Sequence, residues 1–169
     1  MGKDPLTRPG AGEKVWQFEK KKDANSFKKT FNISQPLGDG SCTVLYTNAD
    51  GLLNKKHELL NFVVDKSPKI IAITEIIAKN QLHANNVEYQ VDGYDLFMNN
   101  NPRRGIALYL HSSLNAQNLP DFKETDFKES IWASFESPDK RKVLIGCVYI
   151  SPNSSDYNTE QLLTLLRDK

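Results

Sequence analysis

Long apolar runs, concentrated charge and clusters of metal-binding side chains are all missing from this sequence of 169 residues. Charged residues break each apolar stretch well before the length of a bilayer-spanning helix, so no membrane-crossing helix is expected. The start, Met1-Gly2-Lys3-Asp4-Pro5, lacks the apolar run of a secretory signal. Cysteine is scarce: Cys42 and Cys147 both lie in apolar, strand-like surroundings. With no secretory signal, they read as reduced core thiols of an intracellular protein rather than as a disulfide. The three histidines, His57, His83 and His111, stand far apart, and no Cys-x-x-Cys occurs. A zinc site is therefore not expected. The formal net charge is +1, too small to argue nucleic-acid binding from charge alone.

What charge there is divides unevenly. Residues 1–41 hold eight Lys/Arg against five Asp/Glu, a net +3, and the rest is net −2. Proline, glycine and mixed charge clusters such as Glu19-Lys20-Lys21-Lys22-Asp23 crowd the first part. Residues 1–41 read as a flexible, mildly basic leader with one short helix around residues 15–22. Residues 42–169 read as one domain, a length that can bury a core.

Two apolar stretches dominate that domain. Val44-Leu45-Tyr46-Thr47 ends on Asn48, and Ile70-Ile71-Ala72-Ile73-Thr74 ends on Glu75. Between them, residues 55–65 have the spacing of a helix, with Leu59, Leu60, Phe62 and Val63 on one face and Asn54 as N-cap. Ser67-Pro68 stops it. This is a strand–helix–strand unit that places a carboxamide and a carboxylate at strand exits, where α/β sheets hold ligands. Further strands are expected at residues 94–98, 105–110, 130–135 and 142–149, and a final helix at 159–167. The late strands follow one another without helices. The fold class is therefore α/β passing into α+β: a mixed sheet of five or six strands with flanking helices.

Four motifs in order carry a resemblance: Tyr46-Thr47-Asn48, Ile71-Ala72-Ile73-Thr74-Glu75, Arg104-Gly105-Ile106-Ala107-Leu108-Tyr109 and Val148-Tyr149-Ile150-Ser151-Pro152-Asn153. The sequence resembles the endonuclease/exonuclease/phosphatase superfamily over residues 42–168. More narrowly, it resembles the apurinic-like endonucleases of LINE (non-LTR) retrotransposons. The resemblance implies a DNase I-like four-layer α/β/β/α sandwich and phosphodiester hydrolysis with magnesium. It implies Glu75 as the carboxylate metal ligand and Asn48 as a second group lining the metal pocket. Tyr149 would face the scissile phosphate, and Asn153 would bind phosphate. DNA is the implied partner and the nucleus the implied compartment.

The same resemblance exposes gaps. No Asp-x-Asn ends a strand after Tyr149, no Ser-Asp-His follows, and no histidine lies beyond His111. The sequence thus resembles the first half to two-thirds of such a domain, and little or no activity is expected of it alone. The alternatives are a non-catalytic retroelement-derived binding module, a non-functional gene product, or a phosphatase branch of the superfamily. Loss of part of the second sheet is expected to uncover strands 70–73 and 143–148 and to promote self-association. Asp50 reads as a turn residue, and Arg103-Arg104 as a solvated loop tip.

Overall fold

A computed structural model describes residues 30–36, 41–81, 85–100, 104–119, 127–151 and 153–167. His83, Arg103, Pro152 and the helix expected at residues 15–22 lie outside these.

Five strands form the first sheet: β1 (Thr30–Pro36), β2 (Ser41–Asn48), β3 (Ile70–Thr74), β4 (Tyr94–Asn99) and β5 (Ile106–His111), in the order β1-β2-β3-β5-β4. Only β2 and β3 run parallel; the other pairs are antiparallel. The parallel pair is joined by helix α1 (Lys56–Lys66), as the strand–helix–strand reading requires. A 3-10 turn, Leu52–Lys55, leads into α1, so Asn54 lies within that turn and is not an N-cap. At the other end Ser67 takes a left-handed conformation, and its N–H bonds the Val63 carbonyl before Pro68.

The second sheet contains β6 (Gln117–Asn118), β7 (Ser130–Glu136) and β8 (Lys142–Val148), all antiparallel. Helix α2 (Asp156–Arg167) follows.

Side-chain alternation explains the layering. Leu45, Ile71, Ile73, Ala107 and Tyr109 share one core with Leu59 of α1. Cys42, Val44, Ile70, Ala72, Ile106, Leu108 and Leu110 point the opposite way, onto Ile131, Ala133, Phe135 and Cys147 of the second sheet. A third, smaller cluster joins Phe127, Leu162 and Leu165, with Trp132 and Val148 against it. The result is helix, sheet, sheet, helix: the four-layer arrangement. Both cysteines are buried and free.

Two expectations need correction. Ile70–Thr74 is buried throughout, because β7 and β8 supply the missing cover. β8, at the edge of its sheet, stays half open. Residues 30–36, read as part of the leader, form β1 and pair with β2. The alternation Thr30-Phe31-Asn32-Ile33 suits an edge strand, but it sits among polar, glycine-rich sequence that conceals it.

Candidate active site

The site is assembled by register. β2 and β3 run parallel with Asn48 opposite Thr74, so Asn48 and Glu75 leave the sheet side by side. The loop after β2 is then tied to the segment after β3. The Ala49, Gly51 and Leu52 N–H groups donate to the carbonyls of Thr74, Glu75 and Ile76 at 2.9, 2.9 and 2.8 Å. β5 lies antiparallel on the other side of β3, with Thr74 opposite Ile106, which delivers Arg104 to the same exit. The Ile77 N–H bonds the Arg104 carbonyl at 2.8 Å. Gly105 makes this approach feasible: its φ is +65°, and a Cβ there would meet Ile76 Cγ1 at 2.9 Å.

Glu75 itself has φ +53°, a left-handed conformation that costs a non-glycine residue on the order of 1 kcal/mol or more. Such strain persists where the surroundings over-determine it, and here they do. Tyr149, just past β8, donates its hydroxyl to Glu75 Oε1 at 2.6 Å. Arg104 donates from Nη2 to Glu75 Oε2 at 2.6 Å. The Asn48 carboxamide also hydrogen-bonds the Glu75 carboxylate. Asn48 Oδ1 in turn accepts the Asp50 N–H at 3.2 Å, which orients the amide. The Arg104 guanidinium bonds Asp50 as well, so it bridges two acids.

The electrostatics follow from these contacts. Burial alone would raise the Glu75 carboxyl, but the hydrogen bonds from Tyr149 and Asn48 and the charge of Arg104 outweigh it. Glu75 is held below the ordinary glutamate value and is ionised at neutral pH. The hydrogen bond to Glu75, then burial and the Glu75 charge, push the Tyr149 phenol up to about 12, so it stays a donor. The Arg104 hydrogen bond, followed by its charge, lowers Asp50.

Three of the four residues expected at the site are therefore brought together: Glu75, Asn48 and Tyr149. Asn153 sits in the exposed turn after Tyr149, where its N–H bonds Ser151 Oγ at 3.4 Å. That bond shapes the turn, not the pocket. Asp156-Tyr157-Asn158 has the spelling of the missing Asp-x-Asn, yet it opens α2 and does not end a strand. Its Asn158 Nδ2 donates to Glu129 Oε2 at 3.2 Å and to Ser154 Oγ at 2.7 Å. Glu129 also accepts the Tyr149 N–H through its carbonyl at 2.9 Å, so this network carries the Tyr149 turn.

Arg104 was missed as a site residue. It is not a solvated tip: its side chain is 18% exposed and faces inward between Asp50 and Glu75. The available signal was a charged residue beside a glycine at the entry of a strand. Only the pairing of β5 with β3 turns that into a site position.

The donor set suits a hard cation. Glu75 supplies an ionised carboxylate and Asn48 an amide, with a second acid, Asp50, nearby. Magnesium takes one or two carboxylates and keeps several waters. Among the described residues no group of three or more His, Cys, Asp or Glu could hold a metal.

Two solved structures share this fold. The AP endonuclease LMAP from Leishmania major superposes with a TM-score of 0.56 at 17% identity, over 74% of this chain and 46% of that one. The endonuclease domain of TRAS1, a telomere-specific non-LTR retrotransposon, also gives 0.56, at 15% identity over 74% of this chain and 54% of that one. The fold is DNase I-like. The chain spans about half the length of the solved endonucleases it matches. No protein-family model and no curated protein matches the sequence.

Proposed function

We propose that this chain is part of a metal-dependent DNA endonuclease, of the type with which LINE elements nick their chromosomal target. The carrying observation is the convergence of Asn48, Glu75 and Tyr149, from both sheets, on one carboxylate, with Tyr149 2.6 Å from Glu75. Glu75 and Asn48 would hold magnesium, which when bound neutralises charge building on the phosphorane. Tyr149, protonated at neutral pH, would turn its single O–H from Glu75 to a phosphate oxygen once substrate is bound, and Asn153 would contact the phosphate farther along the turn. DNA is then the partner and the nucleus the place of action.

Hydrolysis also needs a group to take the proton of the attacking water. None of these four residues is suited to that, and Glu129 is engaged in holding the Tyr149 turn. The chain alone should therefore cut little, and with one carboxylate and one amide it should bind magnesium weakly. Calorimetric titration with magnesium should show weak binding that Glu75→Ala removes. Absence of binding to either protein would end the metal reading. A magnesium-dependent nick in supercoiled plasmid, lost in Glu75→Gln, would overturn the inactivity while keeping the endonuclease.

The helical setting of Asp156-Tyr157-Asn158 favours one second reading, a non-catalytic binding module or non-functional gene product of retroelement origin. DNA binding indifferent to magnesium and to Glu75→Gln would support it.

A further inference from the structure

We infer that Arg104 and a divalent cation compete for the Glu75 carboxylate, so that metal binding releases the guanidinium from the pocket. The inference rests on the metal role proposed for Glu75. The two carboxylate oxygens have different partners. Oε1 takes the neutral Tyr149 hydroxyl at 2.6 Å, and Oε2 takes the positive Arg104 Nη2 at 2.6 Å. A hydroxyl tolerates a cation on the neighbouring oxygen. A guanidinium does not, because two positive charges would share one small carboxylate in a pocket where both side chains are only 18% exposed.

The guanidinium also leaves a donor unused. Among the described residues the buried Arg104 Nε has no hydrogen-bond partner, an unfavourable placement for a charged group. Moving outward would return that N–H to water, or to a phosphate oxygen, for which an arginine fork is suited. Its stem is anchored where the Arg104 and Gly105 carbonyls pair with Ile77 and Ile76, so the head can swing while the backbone stays. Arg104 would thus screen two acids from each other when it is in, and become available to the substrate when it is out.

The sign of the effect separates this role from a structural one. A residue that merely supports the site weakens metal binding when removed, whereas a competitor strengthens it. Magnesium titration by calorimetry on the full chain, with folding checked by circular dichroism, should give about tenfold tighter binding in Arg104→Met than in the parent. Lys79→Gln is the control: it deletes a positive charge near Asp50 without touching Glu75, and should change affinity less than about twofold. Unchanged or weaker binding in Arg104→Met, or equal tightening in Lys79→Gln, overturns competition while leaving the metal site intact. No binding in any variant removes the metal site and this inference together. Should Arg104→Met fail to fold, the Nε–H resonance of Arg104 in the parent chain decides. It should move towards the position of a solvated arginine as magnesium is added, and a resonance unmoved at saturation overturns the inference.

Discussion

The two sheets bury unequal shares of themselves, and the site draws on both. In the first sheet β3 is buried on both faces, against α1 on one side and the second sheet on the other. In the second sheet β8 is an edge, with Leu144 40% exposed and Ile150, just beyond it, 41%. Asn48, Glu75 and Arg104 hang from the first sheet; Tyr149 hangs from the second. The difference teaches that the pocket has one firm wall and one softer wall. Local opening, which follows poor burial, would withdraw Tyr149 before it disturbs Glu75.

The largest expected effect tests that inequality directly. Ile71→Ala on β3 removes fully buried apolar volume and should cost about 2–5 kcal/mol in urea unfolding. Leu144→Ala on β8, already partly solvated, should cost under about 1 kcal/mol. Equal losses would break the comparison. Self-association should run through β8, whose backbone among the described residues has a strand neighbour on one side only. Leu144→Lys should then shift a size-exclusion profile towards monomer.

Gly105→Ala comes next. The new Cβ would lie within 3.0 Å of Ile76 and Ile77 side-chain atoms at a backbone angle alanine resists. A loss of at least about 1 kcal/mol is expected. Because Gly105 adjoins Arg104, the same variant should weaken the bridge to Glu75, visible as a changed Arg104 Nε–H resonance. Destabilisation without that change would show the glycine to be structural only.

How much of this could be read in advance depends on the range of the interactions. The β2–α1–β3 unit was legible because Val44–Thr47 and Ile70–Thr74 are apolar runs and the intervening residues have helical spacing. Asn48 and Glu75 were legible for the same reason: each is the first polar residue after such a run. β1 was not, since an edge strand needs little apolar sequence. The division into two sheets was legible through the family resemblance, not through any local pattern. The β7–β8 hairpin is local, but its docking on Cys42, Ile70 and Leu108 is a long-range event. Arg104 joined the site through the antiparallel pairing of β5 with β3, which no local pattern announces.

Tyr149→Phe probes the softer wall. It deletes a hydrogen bond to a charged carboxylate at a half-buried position, so a loss of about 1 kcal/mol is expected. A spectrophotometric titration gives a second reading. The Tyr149 phenol is pushed up to about 12, chiefly by its bond to Glu75, and Glu75→Gln should bring it back towards the ordinary tyrosine value near 10. A phenol indifferent to that change would mean that the two walls do not meet.

The smallest effect, acid stability, compares one carboxylate from each region. Glu75 is lowered from the ordinary value near 4.5, and Asp139, in the β7–β8 turn, from 3.8 to about 2 by hydrogen bonds from Arg141 and Ser137. Both native carboxyls bind protons more weakly than in the unfolded chain, so acid favours unfolding. The Glu75 contribution should be whole above about pH 4.5 and fade as pH falls through its native value. The Asp139 contribution should persist lower and fade only between about 3.8 and 2. Urea unfolding from pH 6 to 2.5 should therefore lose its upper slope in Glu75→Gln and its lower slope in Asp139→Asn. Asp139 and its ion-pair partner Arg141 are exposed, so its slope should also shrink in high salt. The Glu75 slope should resist salt, because Tyr149, Asn48 and Arg104 reach it in a pocket with little solvent. If salt erased both slopes alike, the Glu75 carboxylate would be as solvated as a hairpin tip, and the firm wall would lose its distinction.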